Sequence, residues 1–285
     1  MSDVTRAEVC VVACAELFRD AGEIMVSPMT TVVSVGARLA RLTFSPDILL
    51  TDGEAMLLAD TPAIGKPGAT EGWMPFGRVF ETLTWGRRHV VMGANQIDRY
   101  GNQNLSAFGP LQRPTRQMFG VRGAPGNTIN HRTSYWVGNH APRVFTDTVD
   151  IVSGIGWDKV DPDNPAYRFT DVYRVVSNLG VFDFGGPDRQ LRAVSLHPGV
   201  TADDVRAATS FEVHGLADAT ETRAPTDDEL RLIREVIDPK SLRDKEVRAR
   251  EERKGSRARE ERRGSSAREE RKGSSAREER KGSSA

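Results

Sequence analysis

Cysteine is almost missing from this sequence. Two in 285 residues cannot frame a disulfide-stapled fold, and Cys10 and Cys14, four apart on a predicted helix, read as small core residues rather than a redox pair. No apolar run approaches the ~20 residues of a membrane-spanning helix. The first residues carry neither the basic nor the apolar stretch of a secretion signal. The five histidines show no metal-ligand spacing, and H-E-x-x-H and C-x-x-C do not occur. A dinucleotide fingerprint is missing too, because Lys159 stands where a third glycine belongs after Gly154-Ile155-Gly156. Asp60 and Pro67 around Gly65-Lys66 exclude a phosphate loop. Without G-x-S-x-G, the serine hydrolases built on that elbow are excluded. What remains is a chain expected to be soluble, cytoplasmic and without a metal.

Net charge is also missing, but only as a sum: Lys and Arg number 40, and so do Asp and Glu. From Ala249 to Ala285 runs a nine-residue repeat, AREERKGSR and three near-copies, with 13 basic and 8 acidic residues and nothing more apolar than alanine. Subtracting these leaves residues 1–248 with 27 basic and 32 acidic side chains, a net charge of −5. An acidic body does not suggest a nucleic-acid partner. The repeat has nothing to bury, and Gly255, Gly264, Gly273 and Gly282 break any helix once per copy. It reads as a disordered tail, natural or artefactual. The paired glutamates of each copy weaken the alternative of a basic arm.

In the body, helix and strand signals alternate. Thr5 and Glu8 have capping-box spacing. Val9, Val12, Leu17 and Phe18 form an apolar stripe, and Gly22 stops the helix. Glu23–Ser27 reads as a strand, Ser27-Pro28 as an N-cap with proline in the first turn, and Thr30–Leu42 as a second helix. Asp47–Thr51 reads as a buried strand, Ala59 to Phe76 as a loop, Val79–Trp85 as a short helix and His89–Ala94 as a strand. This alternation predicts an α/β protein with an open, mainly parallel sheet and flanking helices. Beyond Asn104, strands are expected at Arg116–Val121, Thr133–Val137, Val144–Val152, Tyr173–Asn178, Val181–Phe184 and Leu191–His197. Helices Thr201–Ala208 and Asp227–Ile237 close the body.

Ligands of such sheets bind at the carboxyl ends of strands, and three polar stretches follow predicted strands. In Thr51-Asp52-Gly53-Glu54, either acid would serve as a base or nucleophile, or would cap the next helix. In Gly93 to Asn104, Gln96, Asp98 and the amides would bond a ligand or satisfy loop backbone. Gly123-Ala124-Pro125-Gly126-Asn127 would aim N–H groups at an oxyanion or phosphate. His131, Arg132, Tyr135 and Trp136 beside it suit an anionic substrate with an apolar body. The plainer alternative there is a glycine turn and a hairpin.

Gly93-Ala94-Asn95-Gln96-Ile97-Asp98-Arg99-Tyr100-Gly101-Asn102 resembles the G-A-x-Q-[VI]-D-x-x-G-N segment of class I coenzyme A transferase β subunits. Tyr173–Asn178, Val181–Phe184, then Leu196-His197-Pro198-Gly199-Val200 and Asp204-Val205, are similar in order to that family's C-terminal half. The resemblance runs from about residue 5 to 237. It implies the CoA transferase (NagB/RpiA-like) fold over residues 1–248, and an α subunit on a separate chain in an α2β2 heterotetramer. It also implies an acyl-CoA site between the two subunits and no separate cofactor, coenzyme A being part of the substrate. No nucleic acid or membrane is expected as a partner.

Two features depart from the transferases. Their E-N-G glutamate attacks the acyl-CoA; Thr51-Asp52-Gly53 stands in its place, and a threonine hydroxyl cannot form a glutamyl-CoA thioester. Their G-x-G-G-A-x-D oxyanion loop is altered to Gly123–Asn127. One branch of the family is similar in this respect. It opens the last steroid ring, carried as a cyclic 3-oxoacyl-CoA, by adding water and breaking a C–C bond, with the essential acid-base glutamate on the α subunit. Likeness to that branch extends through Gly65–Trp73 and Thr133–His140. On this reading Glu54 is the catalytic candidate of the chain. Thr51, Asp52, Gly53, Gln96, Gly123, Gly126, Asn127, His131, Arg132, Tyr135 and Trp136 are the substrate-binding candidates. Trp73, Phe76, Tyr135 and Trp136 are expected at the partner surface or the site mouth. Transfer of CoA between carboxylic acids, or a non-catalytic scaffold, are the alternatives.

The tail yields a first prediction. Truncation after Val247 should leave activity and melting temperature nearly unchanged, because the repeat has nothing to bury. A loss of several degrees in a thermal melt would contradict it.

Overall fold

Thr5 starts the first helix by the reciprocal bonds its spacing predicts: Oγ1 accepts from Glu8 N at 3.3 Å, and Thr5 N donates to Glu8 Oε2 at 2.9 Å. The structure is a computed structural model that describes residues 4–51, 55–118, 121 and 123–247. The repeat at 249–285 and the candidates Asp52, Gly53 and Glu54 lie outside the described residues. Helix α1 is Arg6–Ala15 and runs on as a 3-10 turn to Phe18.

Ser27-Pro28 do not start the second helix. They end strand β1, Met25–Pro28, and α2 spans Thr31–Leu42 after Thr30. Proline is tolerated there because β1 ends the row of the main sheet. The Thr30 side chain makes no cap bond. Glu246 supplies one instead: its carboxylate accepts from Thr31 N at 2.7 Å and Val32 N at 3.1 Å. The same carboxylate accepts from Trp136 Nε1 at 3.1 Å.

The main sheet has seven strands lying in chain order. After β1 come β2 (Arg88–Gly93), β3 (Arg132–Val137), β4 (Asp171–Ser177), β5 (Gly180–Asp183), β6 (Arg192–Leu196) and β7 (Thr220–Glu221). The first four pair in parallel, β4-β5-β6 antiparallel, and β6-β7 in parallel again. Alternation along the strands makes two cores. Val91 and Trp136 face α1 and α2, while Val90, Met92, Tyr135 and Val137 face the opposite side. Helices α1 and α2 approach so closely that a Cβ on Gly36 would lie 2.9 Å from Val11 O. The last helix, Asp227–Arg231, continues as a π-helical stretch to Ile237 on the α2 side.

Three expected elements differ. Leu49 bridges Met25 in parallel, but Leu50–Thr51 then turns into a separate antiparallel sheet. Its partners are Met56–Leu58 and Thr70–Trp73, so the expected loop from Ala59 carries a strand. Of the expected strand Arg116–Val121, the described residues form a strand at Arg116–Gln117, against Ala107–Phe108. Val144–Val152 forms no strand. Val144, Phe145 and Val149 are buried singly, while Asp147 pairs with Arg99 and Asp150 accepts from Gly109 N at 2.8 Å. Side-chain bonds to distant segments take the place of a ladder.

Glu8 is fully buried. It accepts from Arg234 Nε at 2.7 Å and from Arg243 Nη2 at 3.0 Å. Burial pushes its carboxyl up, but the hydrogen bonds from Arg234 and Thr5 N and the two guanidinium charges outweigh burial and hold it at about 2. Glu8→Ala leaves buried Arg243 with one carboxylate fewer, and should cost about 3 kcal/mol in urea unfolding. The folded pKa lies below the ordinary 4.5, so the contribution is full above that pH and is lost as pH falls toward 2. The gap between wild type and Glu8→Ala should therefore close across that acid window.

Candidate functional site

The segment from Gly93 to Asn104 folds as a clasp. Asp98 Oδ1 accepts from Tyr100 N at 2.9 Å and Asn102 N at 3.0 Å, and Oδ2 accepts from Asn102 Nδ2 at 2.8 Å. Gly101 completes this turn with a φ of +86°, and a Cβ there would strike the Phe184 ring at 2.7 Å. Burial raises the Asp98 pKa and Asp158 adds to the rise, against the hydrogen bonds from Asn102 and Tyr100. Asn102 joins the clasp to the next loop. Its Nδ2 also donates to Asp158 Oδ1 at 2.7 Å, and its Oδ1 accepts from Gly156 N at 2.8 Å. A Cβ on Gly156 would lie 2.5 Å from Asn102 N. The glycines of Gly154-Ile155-Gly156 thus allow a close backbone approach.

The substrate-binding candidates fall in different places. Thr51 ends the short strand Leu50–Thr51. The Gln96 side-chain oxygen accepts from Asn104 Nδ2 at 2.7 Å and Asp150 N at 3.0 Å. Gly123 to Asn127 is not a loop: Gly123 caps helix α4, Ala124–Asn130, with Asn127 N bonded to Gly123 O. Pro125 is acceptable because the first helical N–H groups have no partner within the helix. Arg132 points away from this group, exposed and paired with Asp171 at 2.7 Å.

Tyr135 and Trp136 are buried, not at the surface as expected, because both belong to the central strand β3. Burial and the Asp98 charge raise the Tyr135 phenol. Tyr135 Oη and Gln103 Oε1 are buried without partners, and both approach Gly154. Trp73 and Phe76 are exposed as expected.

A cluster forms beneath α4. Asn127, Thr128 and His131 are buried. Arg88, at the start of β2, is only 6% exposed. Its Nε and Nη2 donate to Ser27 Oγ at 3.2 and 3.0 Å, and Nη1 donates to Asn127 Oδ1 at 3.3 Å. Among the described residues no carboxylate pairs with it, and burial lowers its pKa to about 10. His131 Nε2 is buried without a partner. Burial, then the Arg88 charge, lower its pKa to about 4 against backbone hydrogen bonding at Leu83 and Thr82, so the ring is neutral. The sequence reading does not single out Arg88, which stands one residue before the expected strand His89–Ala94. The available signal was parity: Arg88, Val90 and Met92 share one strand face.

Helix α3, Phe76–Trp85, has no buried residue. It rests on α4 through Leu83, whose carbonyl accepts from Asn130 Nδ2 at 3.0 Å. Phe76, Phe80 and Trp85 are exposed, Trp85 at 86%. Among the described residues no helix is long and apolar enough to cross a membrane, and no group of three or more His, Cys, Asp or Glu is placed to hold a metal ion.

No family model matches the sequence. Glutaconate coenzyme A-transferase from Acidaminococcus fermentans shares the fold, with a TM-score of 0.72 at 22% identity over 85% of this chain and 97% of that one. The sheet order therefore defines a subunit with the CoA-transferase fold. The crystal structure of Rhodococcus jostii RHA1 IpdAB matches with a TM-score of 0.86 at 72% identity, over 87% of this chain and 100% of that one. The cholesterol ring-cleaving hydrolase IpdB subunit of Mycobacterium tuberculosis H37Rv is 82% identical over 248 residues, 86% of this chain and 99% of its own length. The chain belongs to the family of cholesterol ring-cleaving hydrolase IpdB subunits.

The clasp supplies a test of its own. Asn102→Asp would place a third carboxylate between Asp98 and Asp158, and should cost about 2 kcal/mol at pH 8. The deficit should shrink at pH 5, as a shared proton relieves the repulsion. Melting curves at both pH values check the sign.

Proposed function

We propose that this chain is the β subunit of an α2β2 hydrolase that opens the ring of a cyclic 3-oxoacyl-CoA, the last steroid ring in cholesterol catabolism. Coenzyme A enters as part of the substrate, without a separate cofactor. The observation that carries this reading is the 82% identity, along essentially its whole length, to a subunit named for cholesterol ring cleavage. The residue at the end of the short strand supports it. Thr51 stands where the transferases resemble one another in a nucleophilic glutamate, and its hydroxyl cannot form the acyl anhydride of CoA transfer.

The reaction follows from the electronics of a 3-oxoacyl thioester. Water, losing a proton to a carboxylate, adds to the ring ketone and drives the C=O electron pair onto oxygen. When that oxyanion collapses, the bond to the carbon between the two carbonyls breaks. Its electron pair passes into the thioester as an enolate, which takes up a proton. One water is consumed, and the ketone carbon becomes a carboxylate. In this reading the main acid-base glutamate lies on the α subunit, and Glu54 shapes the turn or relays a proton. The exposed aromatic face of α3 suits burial against that subunit.

Co-expression with the α subunit and incubation with an acyl-CoA in H₂¹⁸O tests the reading by mass spectrometry. One label should appear in the new carboxylate and none in Glu54 or Asp52, and borohydride or hydroxylamine should trap no enzyme–CoA species. Label in either side chain would restore the transferase. Glu54→Ala should cost at most ~10²-fold in turnover. Thr51→Glu should not create a transferase. Phe76→Ser with Trp85→Ser should weaken assembly by at least roughly tenfold, about 1.4 kcal/mol, in sedimentation of the complex.

A further inference from the structure

Among the described residues, Arg88 is a buried cation with neutral hydrogen-bond acceptors. Buried Arg243 differs, because it meets the carboxylates of Glu8 and Asp238, both at 3.0 Å. Buried Arg38 shares the feature of neutral acceptors, donating to the backbone carbonyls of Pro62 and Ser34. Arg88 donates to Ser27 Oγ and Asn127 Oδ1. A guanidinium has five N–H bonds, and three are directed at these two atoms. One N–H on each terminal nitrogen is left without an acceptor among the described residues. Removing such a charge from water costs several kcal/mol, and Ser27 and Asn127 offer no opposite charge in return.

His131 supplies a second, independent observation. Its Nε2 is buried without a partner, and the residue follows Asn127, an acceptor of Arg88, by one helical turn at the end of α4. A neutral imidazole can donate one hydrogen bond to an anion without adding a second repelling cation. The strand register brings these chain segments near one another. Met25 pairs with both Arg88 and Leu49. Ser27, which holds the guanidinium, lies two residues beyond Met25 on β1. Thr51, where the transferase nucleophile is replaced, lies two residues beyond Leu49, where the chain has turned into the separate antiparallel sheet.

We propose that Arg88 and His131 receive the ring-ketone oxygen of the acyl-CoA substrate as it becomes an oxyanion and then a carboxylate. The assignment rests on the hydrolytic reading above. Addition of water moves one electron pair onto that oxygen. Collapse re-forms its C=O as the pair of the breaking C–C bond passes into the thioester enolate. The carboxylic acid so formed then releases its proton, so the oxygen is charged in the adduct and again in the product carboxylate. Arg88 meets this charge with its free pair of N–H bonds, and His131 with Nε2–H. Neither residue gains or loses a proton. The water proton and the enolate proton are handled by the carboxylate base. Asn127 and Ser27 orient the guanidinium.

The test uses the complex with the α subunit and 2-oxocyclohexane-1-carboxyl-CoA, whose hydrolytic opening gives pimeloyl-CoA. Arg88→Gln should lower kcat ~10²–10³-fold with KM changed less than about threefold, the pattern of lost transition-state stabilisation. Binding separates this role from a structural one. Wild type should hold pimeloyl-CoA at least roughly tenfold tighter than heptanoyl-CoA, which has the same chain without the carboxylate. Arg88→Gln should erase that preference while 3′,5′-ADP binds unchanged; a loss confined to 3′,5′-ADP would assign Arg88 to the CoA phosphates and overturn the proposal. If the Gln variant does not fold, Arg88→Lys keeps the charge without the fork and should still lose at least threefold of the preference. His131→Phe should lower kcat with a smaller loss of preference. Full kcat and an intact preference in a folded Gln or Lys variant overturn the proposal. If wild type does not open the ring, the hydrolytic reading fails, and the pimeloyl-to-heptanoyl preference still decides whether Arg88 holds a carboxylate.

Discussion

Glu8 holds a full negative charge out of reach of water, and the helical face of the sheet is arranged around that charge. Arg234 and Arg243 arrive from the last helices of the body, and Arg243 is held in turn by Asp238. Thr5 uses the same carboxylate to start α1. Helix α1 packs on α2 at Gly36, and α2 lies on β1 and β2. Loosening the charge would therefore free both ends of the body at once. A surface network of Arg223 with Glu16 and Glu229 repeats the connection at lower strength.

Arg88 is the opposite case on the other face of the same sheet. Glu8 is neutralised by its neighbours, whereas the Arg88 charge is met among the described residues only by polar, uncharged groups. Stability alone favours matched charges in a dry interior. The two faces of the sheet thus differ in how a buried charge is met, by opposite charges on one and by neutral dipoles on the other.

Local signals in the sequence were legible. The capping pair Thr5–Glu8 forms its reciprocal bonds over three residues as its spacing predicts, and the structure adds Thr201–Asp204 and Thr226–Glu229 as pairs of the same kind. The apolar run from His89 to Ala94 was read as a strand, and β2 forms there, at Arg88–Gly93. Features set by distant partners were not legible. Gly123 to Asn127 looks like a turn, but Leu83 packs against it as the start of a helix. Val144 to Val152 has strand composition, yet Asp147 and Asp150 are engaged elsewhere. The resemblance found Gln96, Asp98, Gly101 and Asn102 as a motif. That they brace one another and the Gly154 loop was visible only once the chain was folded. Tyr135 and Trp136 were misjudged because an aromatic pair carries no sign of whether its strand lies inside the sheet.

The Glu246 carboxylate caps α2 and holds Trp136 from 215 residues beyond Thr31. Helix α2 thus has no side-chain acceptor of its own at Thr30. During synthesis its first N–H groups stay open to water until nearly the whole body has been made. Completion of the N-terminal layer is then a late, long-range event, and loop-closure entropy must be met before the contact forms. A nascent chain interrupted before residue 246 would present a sheet and two helices with an uncapped helix end, a state for chaperones to recognise rather than an independent folding unit.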